Sequence, residues 1–347
     1  MTGPVRRRRE QAMPVQNRPL GENGSLVAPS LSESPQQDKG LFAASEVEVG
    51  MDAVVADTGG VAAVDDPKEA EGSPLKQKGF GVLFWISVAW VAIVIFLAVF
   101  AKVLHLPNPA ATDTSARRLG FSTHHLLGTD QLGRDQFSRV VYGARVSLTV
   151  GFASIFFGTL IGGSLGVIAG FYRGRLETFI MGCMDVLLAF PALVLALALV
   201  TFLGQNLRDV VLAISILAIA PIARLIRSAT LAVSQREFVL AAKSLGAKNF
   251  RIISREILPV VMLPVVSFSL IGVAVAIVAE GGLAFIGQSV PAPTPTWGSM
   301  INDGRTVLQQ APLIAFVPAV VLFITVLALN FAGDTLRSRF DVREGAL

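Results

Sequence analysis

The sequence predicts an all-α integral membrane protein with six transmembrane helices, preceded by a long polar segment. Hydrophobic residues make up 52% of the 347-residue chain and charged residues only 16%, whereas a typical soluble domain is about 25% charged. The apolar residues also lie in six continuous stretches, each close to the roughly 20 residues that cross about 30 Å of hydrocarbon. Because these stretches do not alternate with a period of two, they exclude a closed β-barrel.

Residues 1–79 are expected to form a disordered cytoplasmic tail. They are rich in Pro, Gly, Ser, Ala and acidic residues and contain almost no aromatic residues, so they lack the apolar content that a folded core needs. The basic run Arg6–Arg9 could contact anionic lipid, although exposure to water is the simpler interpretation. About seventy residues separate this run from the first apolar stretch, a distance that a secretory signal peptide does not allow.

The six apolar stretches are the expected transmembrane helices, at residues 83–104, 146–171, 181–203, 210–226, 259–278 and 312–332. They divide the rest of the chain into a first helix with an outer loop (80–145), a transmembrane domain (146–333) and a cytoplasmic C-terminal tail (334–347).

Basic residues in the short loops predict the orientation, because Lys and Arg are enriched in cytoplasmic loops. They are concentrated after the second span, in the loop at about 227–258 and in the C-terminal tail. All three segments lie on one side, which places both termini in the cytoplasm. The outer loop at 105–145 also carries five arginines, but long loops follow the rule less closely.

The formal net charge of +4 raises the alternative of a nucleic-acid partner. No basic cluster interleaves with aromatic residues outside an apolar context, so no nucleic-acid binding is expected. Membrane lipid is the expected surrounding of the six spans.

Glycine and proline mark how the helices pack and bend. A strip of glycines recurs every four residues along the second span, at Gly158, Gly162, Gly166 and Gly170. Such a strip lets the backbone of a neighbouring helix approach closely. Four prolines lie inside apolar spans and can kink them, at Pro191, Pro221, Pro264 and Pro318.

Few ionisable groups lie within the spans. Asp185 is near the cytoplasmic end of the third span and Glu280 near the outer end of the fifth. A proton-coupled carrier usually places such groups near the midplane, so their scarcity argues against that class. Cys183 is expected to be a buried structural thiol. The pair His124–His125 has no Cys, Asp or Glu at ligand spacing, so no metal site is expected.

The cytoplasmic segment 236–259 is the candidate functional site. Its pattern predicts a short helix, a glycine stop at Gly246, a second short helix capped by Asn249 and a proline that begins the next span. The positions i, i+3, i+4 and i+7 form one apolar face, at Phe238, Ala241, Ala242 and Leu245. A membrane-surface helix needs bulky anchors, whereas these alanines permit close approach to another protein.

Here the sequence resembles a known family. The pattern comprises Ala241-Ala242, three further residues, Gly246, and Leu258-Pro259 twelve positions on. It is similar to the "EAA" loop of binding-protein-dependent ABC importer permeases. The sequence departs from the general form at Leu240 and Glu256, while Glu237 is as found in the peptide-permease branch.

Further motifs resemble the C-type subunit of the dipeptide/oligopeptide/nickel permeases. The segment before the second span reads Leu-Gly-Thr-Asp-Gln-Leu-Gly-Arg-Asp at 127–135. The third span contains Asp-Val-Leu-Leu-Ala-Phe-Pro up to Pro191, and the last outer loop contains Pro-Thr-Pro-Thr-Trp-Gly-Ser-Met around Trp297. The resemblance extends from about residue 84 to the C-terminus.

The resemblance implies a type I ABC importer permease fold and a pore-forming subunit of an ATP-driven importer. Peptides are the expected substrate, with nickel or another small solute as the alternative and a proton-coupled secondary transporter as a less favoured one. The implied partners are a homologous B-type permease, two ATP-binding subunits and an extracytoplasmic substrate-binding protein.

The chain itself is expected to be non-catalytic and to hold no cofactor, with ATP and Mg²⁺ bound by the partner subunits. The sequence agrees, because it contains no Gly-x4-Gly-Lys-Ser/Thr phosphate loop. The residues implied to contact an ATPase subunit are Glu237, Phe238, Ala241, Ala242, Leu245, Gly246, Leu258 and Pro259. The candidates for a pathway or gate are Asp185, Pro191, Glu280 and Trp297. A structural role is the favoured alternative for Asp185, Glu280 and Trp297, because polar residues near span ends often lie at the interface or pair with backbone.

Overall fold

The structure is a computed structural model that describes residues 80–344, with side chains described as far as residue 339. The predicted disordered tail, residues 1–79, lies outside the described residues. The described part is helical, and its only β-structure is an isolated bridge between Thr129 and Asp135. Its helices are α1 (Val82–Phe100), a 3-10 turn (Thr114–Ala116), α2 (Gln136–Tyr172), α3 (Gly174–Ala189), α4 (Ala192–Leu203), α5 (Leu207–Val233), α6 (Glu237–Ser244), α7 (Asn249–Arg251), a π-helical segment (Ile252–Ile257), α8 (Leu258–Phe285), α9 (Trp297–Arg305) and α10 (Leu313–Glu344).

Five helical stretches are each long and apolar enough to cross a membrane: α1, α2, α5, the continuous stretch Asn249–Phe285 and the first part of α10. They contain five of the six predicted spans. Helices α3 and α4 are long and apolar enough only as a pair, so the described residues contain six spans if this bent pair counts as one. The all-α membrane fold is therefore confirmed.

The apolar run suggested one continuous helix for the third predicted span, but this span is bent at Pro191, one of the four prolines expected to kink their helices. Helices α3 and α4 meet at a bend of 91°. Phe190, the residue before Pro191, is extended with φ −84° and ψ 138°. The proline ring disfavours the helical conformation of the residue before it, so the helix ends there and restarts at Ala192.

Helix α2 begins ten residues before the predicted span, at Gln136. The Asp135 carboxylate caps its first turn by accepting a hydrogen bond from the Ser138 backbone N–H at 2.7 Å. The Gln136 side chain donates to the Ile314 carbonyl at 2.9 Å. Polar side chains are buried in this first turn, and hydropathy alone therefore placed the start of the helix too late.

The glycine strip of α2 packs against α5, as predicted. A Cβ atom added at Gly162 would lie 2.5 Å from the Ile219 carbonyl oxygen, and one at Gly166 would lie 2.6 Å from that of Ala223. Both distances are far below van der Waals contact. The backbones of α2 and α5 therefore approach each other as closely as only glycine allows.

Cys183 is exposed, so the expectation of a buried thiol was wrong. It shares a face of α3 with Phe179 and Val186, whose side chains are 70% and 62% exposed. These residues recur at helical spacing on the side of α3 that faces away from the bundle. An apolar environment outside the bundle explains why a small thiol occurs in an apolar run.

Candidate functional site: the loop between α5 and α8

The loop consists of α6 and two short connections, and it is shorter than the predicted 227–258. Helix α5 continues to Val233, and the next helical stretch already begins at Asn249. Lys248, not Asn249, is the N-cap residue of that stretch, and its side chain makes no capping hydrogen bond. The prediction of a cap at Asn249 was therefore wrong.

A glycine ends α6, as predicted. Gly246 has φ +77°, a conformation that other residues rarely adopt. Its N–H donates to the Lys243 carbonyl at 2.9 Å, and the N–H of Ala247 donates to the Ala242 carbonyl at 3.0 Å. These two bonds form a Schellman motif. A Cβ at Gly246 would meet nothing within 4 Å, so the backbone conformation alone requires glycine here.

Pro259 lies in the first turn of α8 but does not start a new helix. Helix α7 continues through the π-helical segment Ile252–Ile257 into α8 without a break. A proline lacks the amide hydrogen and its ring clashes with the carbonyl four residues earlier in a regular helix. The wider π turn just before Pro259 accommodates this clash, so the loop is joined to α8 by continuous helix.

Val239 anchors α6 to the bundle, and the sequence analysis did not identify it. Its side chain is fully buried in a cluster with Val233, Ile252, Ile257 and Val261. Val239 and Ala242 are three residues apart and lie on the same face of α6. This spacing was a signal for an inward face that could have been read from the sequence.

The outward surface of the loop is apolar. Leu245 is 88% exposed and Phe250 is 82% exposed, while Leu240 and Phe238 are about half exposed. Large exposed apolar side chains grouped on one loop mark a surface that binds a protein or a membrane. We call this group, together with the exposed Ala241, the loop surface.

The structure therefore divides the predicted apolar face of α6. Phe238, Ala241 and Leu245 point outward, whereas Ala242 is half-buried against the Val239 cluster. Glu237 is exposed at the start of α6, and Leu258 and Pro259 are exposed at the start of α8. Lys243 lies 5.3 Å from the centre of the Phe171 ring, which holds α6 next to the end of α2.

Two ion pairs join α3 to α5. The Arg224 guanidinium donates to the Asp185 carboxylate at 2.5 Å, and both side chains are more than half exposed. Nearer the ends of the helices, Arg227 Nε donates to Glu177 at 2.7 Å. The 91° bend at Pro191 follows six residues after Asp185 on the same segment.

Glu280 and Trp297 lie at the far end of the bundle and are fully buried. The Glu280 carboxylate accepts hydrogen bonds from the hydroxyls of Ser147 at 3.0 Å and Ser289 at 2.9 Å. Trp297 Nε1 donates to the Val140 carbonyl at 3.1 Å. These bonds tie α2, α8 and α9 together. Among residues 80–339, no group of three or more His, Cys, Asp or Glu could hold a metal ion.

The comparisons with known proteins agree with this architecture. The family described as "binding-protein-dependent transport system inner membrane component" matches residues 162–344, more than half of the chain. The chain belongs to this family. It is therefore a multi-pass inner-membrane permease, a class of non-catalytic membrane subunit.

Two relatives cover most of the described region. The dipeptide transport system permease protein DppC of Alkalihalophilus pseudofirmus is 40% identical over 247 residues, covering 71% of this chain and 81% of that protein. The glutathione transport system permease protein GsiD of Pectobacterium atrosepticum is 39% identical over 254 residues, covering 73% of this chain and 84% of that protein. Both are permease proteins of transport systems, in agreement with the C-type resemblance.

A solved structure shows the same fold. The inward-facing MetNI methionine ABC transporter contains a chain that aligns with a TM-score of 0.50 and 20% identity. The alignment covers 58% of this chain and 96% of that one. The type I ABC importer permease fold is thus present in this chain.

Proposed function

We propose that the chain is the pore-forming permease subunit of an ATP-driven ABC importer for short peptides. The loop surface is the observation that carries this proposal, because it presents apolar side chains to a partner from a rigid support. The relatives named for dipeptide and glutathione transport support peptides as the substrate class. The other subunits are a homologous B-type permease, two ATP-binding subunits that hold ATP and Mg²⁺, and an extracytoplasmic binding protein.

In this proposal the loop surface docks in a groove of an ATP-binding subunit. Burying a large apolar side chain stabilises a contact by about 1.5–3 kcal/mol, so Leu245 and Phe250 are the main anchors. The small Ala241, one turn before Leu245 on α6, lets the groove approach the helix backbone. Val239 and the continuous helix through Pro259 then transmit movement of the docked loop into α8.

The proposed orientation places the loop and both termini in the cytoplasm. The arginines in the outer loop are the main observation against this orientation, because basic residues are enriched in cytoplasmic loops. Arg134 and Arg139 are paired with Asp130 and Asp303 at distances of 2.6 to 3.6 Å. Their charges are therefore balanced locally, and the remaining asymmetry of the short loops supports cytoplasmic termini.

The face of α3 and α5 that carries Asp185 and Arg224 is the proposed lining of the transport pathway. Asp185 lies eleven residues into α3 and Arg224 nine residues before the end of α5, which is about 13 to 17 Å along each helix. A half-exposed ion pair at this depth is costly against acyl chains, so a water-filled pathway is the better environment. The bend at Pro191 is the proposed gate beside it.

Glu280 and Trp297 have a different proposed role. Both side chains are fully buried and bonded to other helices, so contact with a passing substrate would require the bundle to open. We assign them to holding the outer ends of the helices together.

The coupling role of the loop is tested by Leu245→Asp. The side chain is 88% exposed, so this change should leave folding and membrane insertion intact. A carboxylate buried in the interface would cost several kcal/mol, and about 3 kcal/mol corresponds to roughly 100-fold weaker docking. We expect loss of ATP-binding subunits on co-purification and loss of peptide uptake by proteoliposomes.

Two further variants sharpen this test. Lys248→Gln changes an exposed charge in the same loop and should retain uptake, since it leaves the apolar surface intact. Gly246→Val should behave like Leu245→Asp, because the φ of +77° strains a β-branched residue. Wild-type uptake and subunit recovery in Leu245→Asp would show that the loop only closes the bundle.

A further inference from the structure

One ion pair lies open on the face of α3 and α5 that is the proposed lining of the pathway. The Asp185 side chain is 62% exposed and the Arg224 side chain 52% exposed. One hydrogen bond joins them, from Arg224 Nη2 to an Asp185 carboxylate oxygen at 2.5 Å. A guanidinium has five N–H donors and a carboxylate about four acceptor positions. No second hydrogen bond to either group comes from the described residues, so both can bind a further charged group.

The neighbouring ion pair on the same two helices is of a different kind. Glu177 accepts two hydrogen bonds from Arg227, one from Nε and one from Nη2. The Glu177 side chain is only 18% exposed and the Arg227 side chain 35% exposed. This second pair holds α3 against α5 near their ends. Exposed ion pairs add little to stability, so holding the helices together does not explain the open pair.

The depth of the open pair restricts what can reach it. Asp185 and Arg224 lie eleven residues into α3 and nine residues before the end of α5, which is about 13 to 17 Å along each helix. This depth is comparable to half of the hydrocarbon layer, whose thickness is about 30 Å. In the proposed pathway, the pair therefore meets a solute that is part-way through the membrane.

There is room beside the pair for the backbone of a ligand. Gly182 and Ala189 lie one turn before and one turn after Asp185, and both are exposed. A Cβ atom added at Gly182 would meet nothing within 4 Å. Ser228, one turn after Arg224, is also exposed. Because these side chains are small, they do not screen the two charged groups from a bulky ligand.

The two charges favour a ligand that carries both signs. An ammonium group can bind Asp185 and a carboxylate can bind Arg224, both through charge-assisted hydrogen bonds. A zwitterion replaces one internal ion pair by two and leaves no charge without a partner, a condition that matters where water is scarce. A divalent cation such as Ni²⁺ would be repelled by the Arg224 guanidinium.

Resting on the proposed function, we propose that Asp185 and Arg224 bind the two ends of a short peptide on its way through the bundle. The α-ammonium group of the peptide binds Asp185 and its α-carboxylate binds Arg224. The two ends of an extended dipeptide are about 7 Å apart. The Arg224 side chain has several rotatable bonds, and it turns away from Asp185 to accept the carboxylate.

This arrangement determines which solutes the pair recognises. Every unmodified short peptide carries the same two end groups, whatever its side chains are. Capture through the ends is therefore independent of the peptide sequence. It selects against peptides whose ends are blocked, and against long peptides whose ends lie far apart.

The test measures whether a peptide shields this face in the assembled, nucleotide-free importer. A cysteine replaces Ser228 in a Cys183→Ala background, and its reaction with a maleimide is followed against peptide concentration. The probes are dialanine, N-acetyl-dialanine and dialanine amide. Dialanine should protect the cysteine, and each blocked form should require an about tenfold higher concentration. Tenfold is the expected effect of losing one charge-assisted contact.

Each charged group should respond to one end of the peptide only. Asp185→Asn should abolish the advantage of dialanine over its N-acetyl form and keep the tenfold advantage over the amide. Arg224→Gln should do the reverse. Such pairwise coupling between a side chain and one ligand group is the signature of direct contact. Both side chains are more than half exposed, so both variants should fold.

Glu177→Gln is the matched control. It removes a carboxylate from the same helix and breaks the neighbouring ion pair, but that pair is not proposed to bind the peptide. Both tenfold ratios should remain, even where the complex is less stable. Loss of either ratio in this control would show that the charge of α3 in general, and not Asp185, sets the preference.

Other outcomes also decide the question. Equal weakening of protection by all three probes in Asp185→Asn and Arg224→Gln would make the pair a structural contact. Absence of protection by dialanine before either group is changed would show that another subunit or lipid covers this face. Either result overturns this proposal, while ATP-driven uptake of dialanine by proteoliposomes with the wild-type complex keeps the proposed function. Absence of that uptake would overturn the proposed function itself and, with it, this assignment.

Discussion

Replacing Gly162 by Ala should destabilise the transmembrane bundle, because the new methyl group has no space. Its Cβ would lie 2.5 Å from the Ile219 carbonyl oxygen and 3.1 Å from the Ile219 Cα. Ordinary contact starts at 3.4 Å, so α2 and α5 would have to separate locally by nearly 1 Å. Both obstructing atoms belong to the backbone of a helix and cannot rotate away.

The size of the effect follows from two opposing terms. Overpacking of a tightly packed site costs about 1–3 kcal/mol. Alanine recovers up to about 1 kcal/mol relative to glycine, because it restricts the unfolded chain and favours helix. With about 1 kcal/mol recovered, the net loss for Gly162→Ala is about 0–2 kcal/mol, and we expect the upper half of this range because the obstructing atoms are backbone.

Two other glycines serve as matched controls for the same substitution. A Cβ at Gly163, the next residue of α2, would lie 3.1 Å from the flexible end of the Ile226 side chain, so Gly163→Ala should cost much less. A Cβ at Gly182 in α3 would meet nothing within 4 Å. Gly182→Ala should be neutral or slightly stabilising.

The measurement is the unfolding of the purified permease complex in detergent, followed by heating or by titration with denaturing detergent. The expected order of stability is Gly182→Ala, then Gly163→Ala, then Gly162→Ala. Equal stability of the Gly162 and Gly182 variants would refute the reasoning, since it would mean that α2 and α5 do not approach through the glycine strip.

Three further predictions concern other parts of the chain. In a Cys183→Ala background, a cysteine at Ser244 should react with an impermeant thiol reagent only from the cytoplasmic side and one at Asn302 only from outside; the opposite pattern would reverse the proposed orientation. Glu280→Ala should lower the unfolding midpoint of the complex more than Glu280→Gln does. The alanine leaves two buried serine hydroxyls without an acceptor, at a cost of about 1–3 kcal/mol each. Equal midpoints would show that the carboxylate has no structural role. Removal of residues 1–75 should leave assembly and peptide uptake nearly unchanged, and loss of the complex would identify the tail as a docking element.

Periodicity and hydropathy were sufficient to locate the spans and to predict a close helix contact along the glycine strip of α2, but they did not identify α5 as the partner. These features depend on single properties that recur along one segment. The turn at Gly246 was also predictable, because a left-handed residue after a helix has a strong preference for glycine. The bend after Phe190 was indicated by Pro191 and not by hydropathy, because the apolar run continues unchanged through the proline.

The partners of the charged side chains could not be read from the sequence. Arg139 and Asp303 are 164 residues apart along the chain and 3.2 Å apart in the structure. Neither residue stands in a periodic pattern that links it to the other. The start of α2 was misplaced for the same reason, since its buried polar side chains are satisfied by distant segments.

The stretch Asn249–Phe285 runs without interruption from the loop surface to the buried Glu280 at the far end of the bundle. Its 37 residues reach about 55 Å, more than the thickness of the bilayer. If the loop surface docks on an ATP-binding subunit, as proposed, thermodynamic reciprocity applies: the factor by which docking changes an affinity at the far end equals the factor by which binding there changes docking. In the proposed importer, the nucleotide state of a subunit on one side of the membrane should therefore be measurable as a binding affinity on the other side.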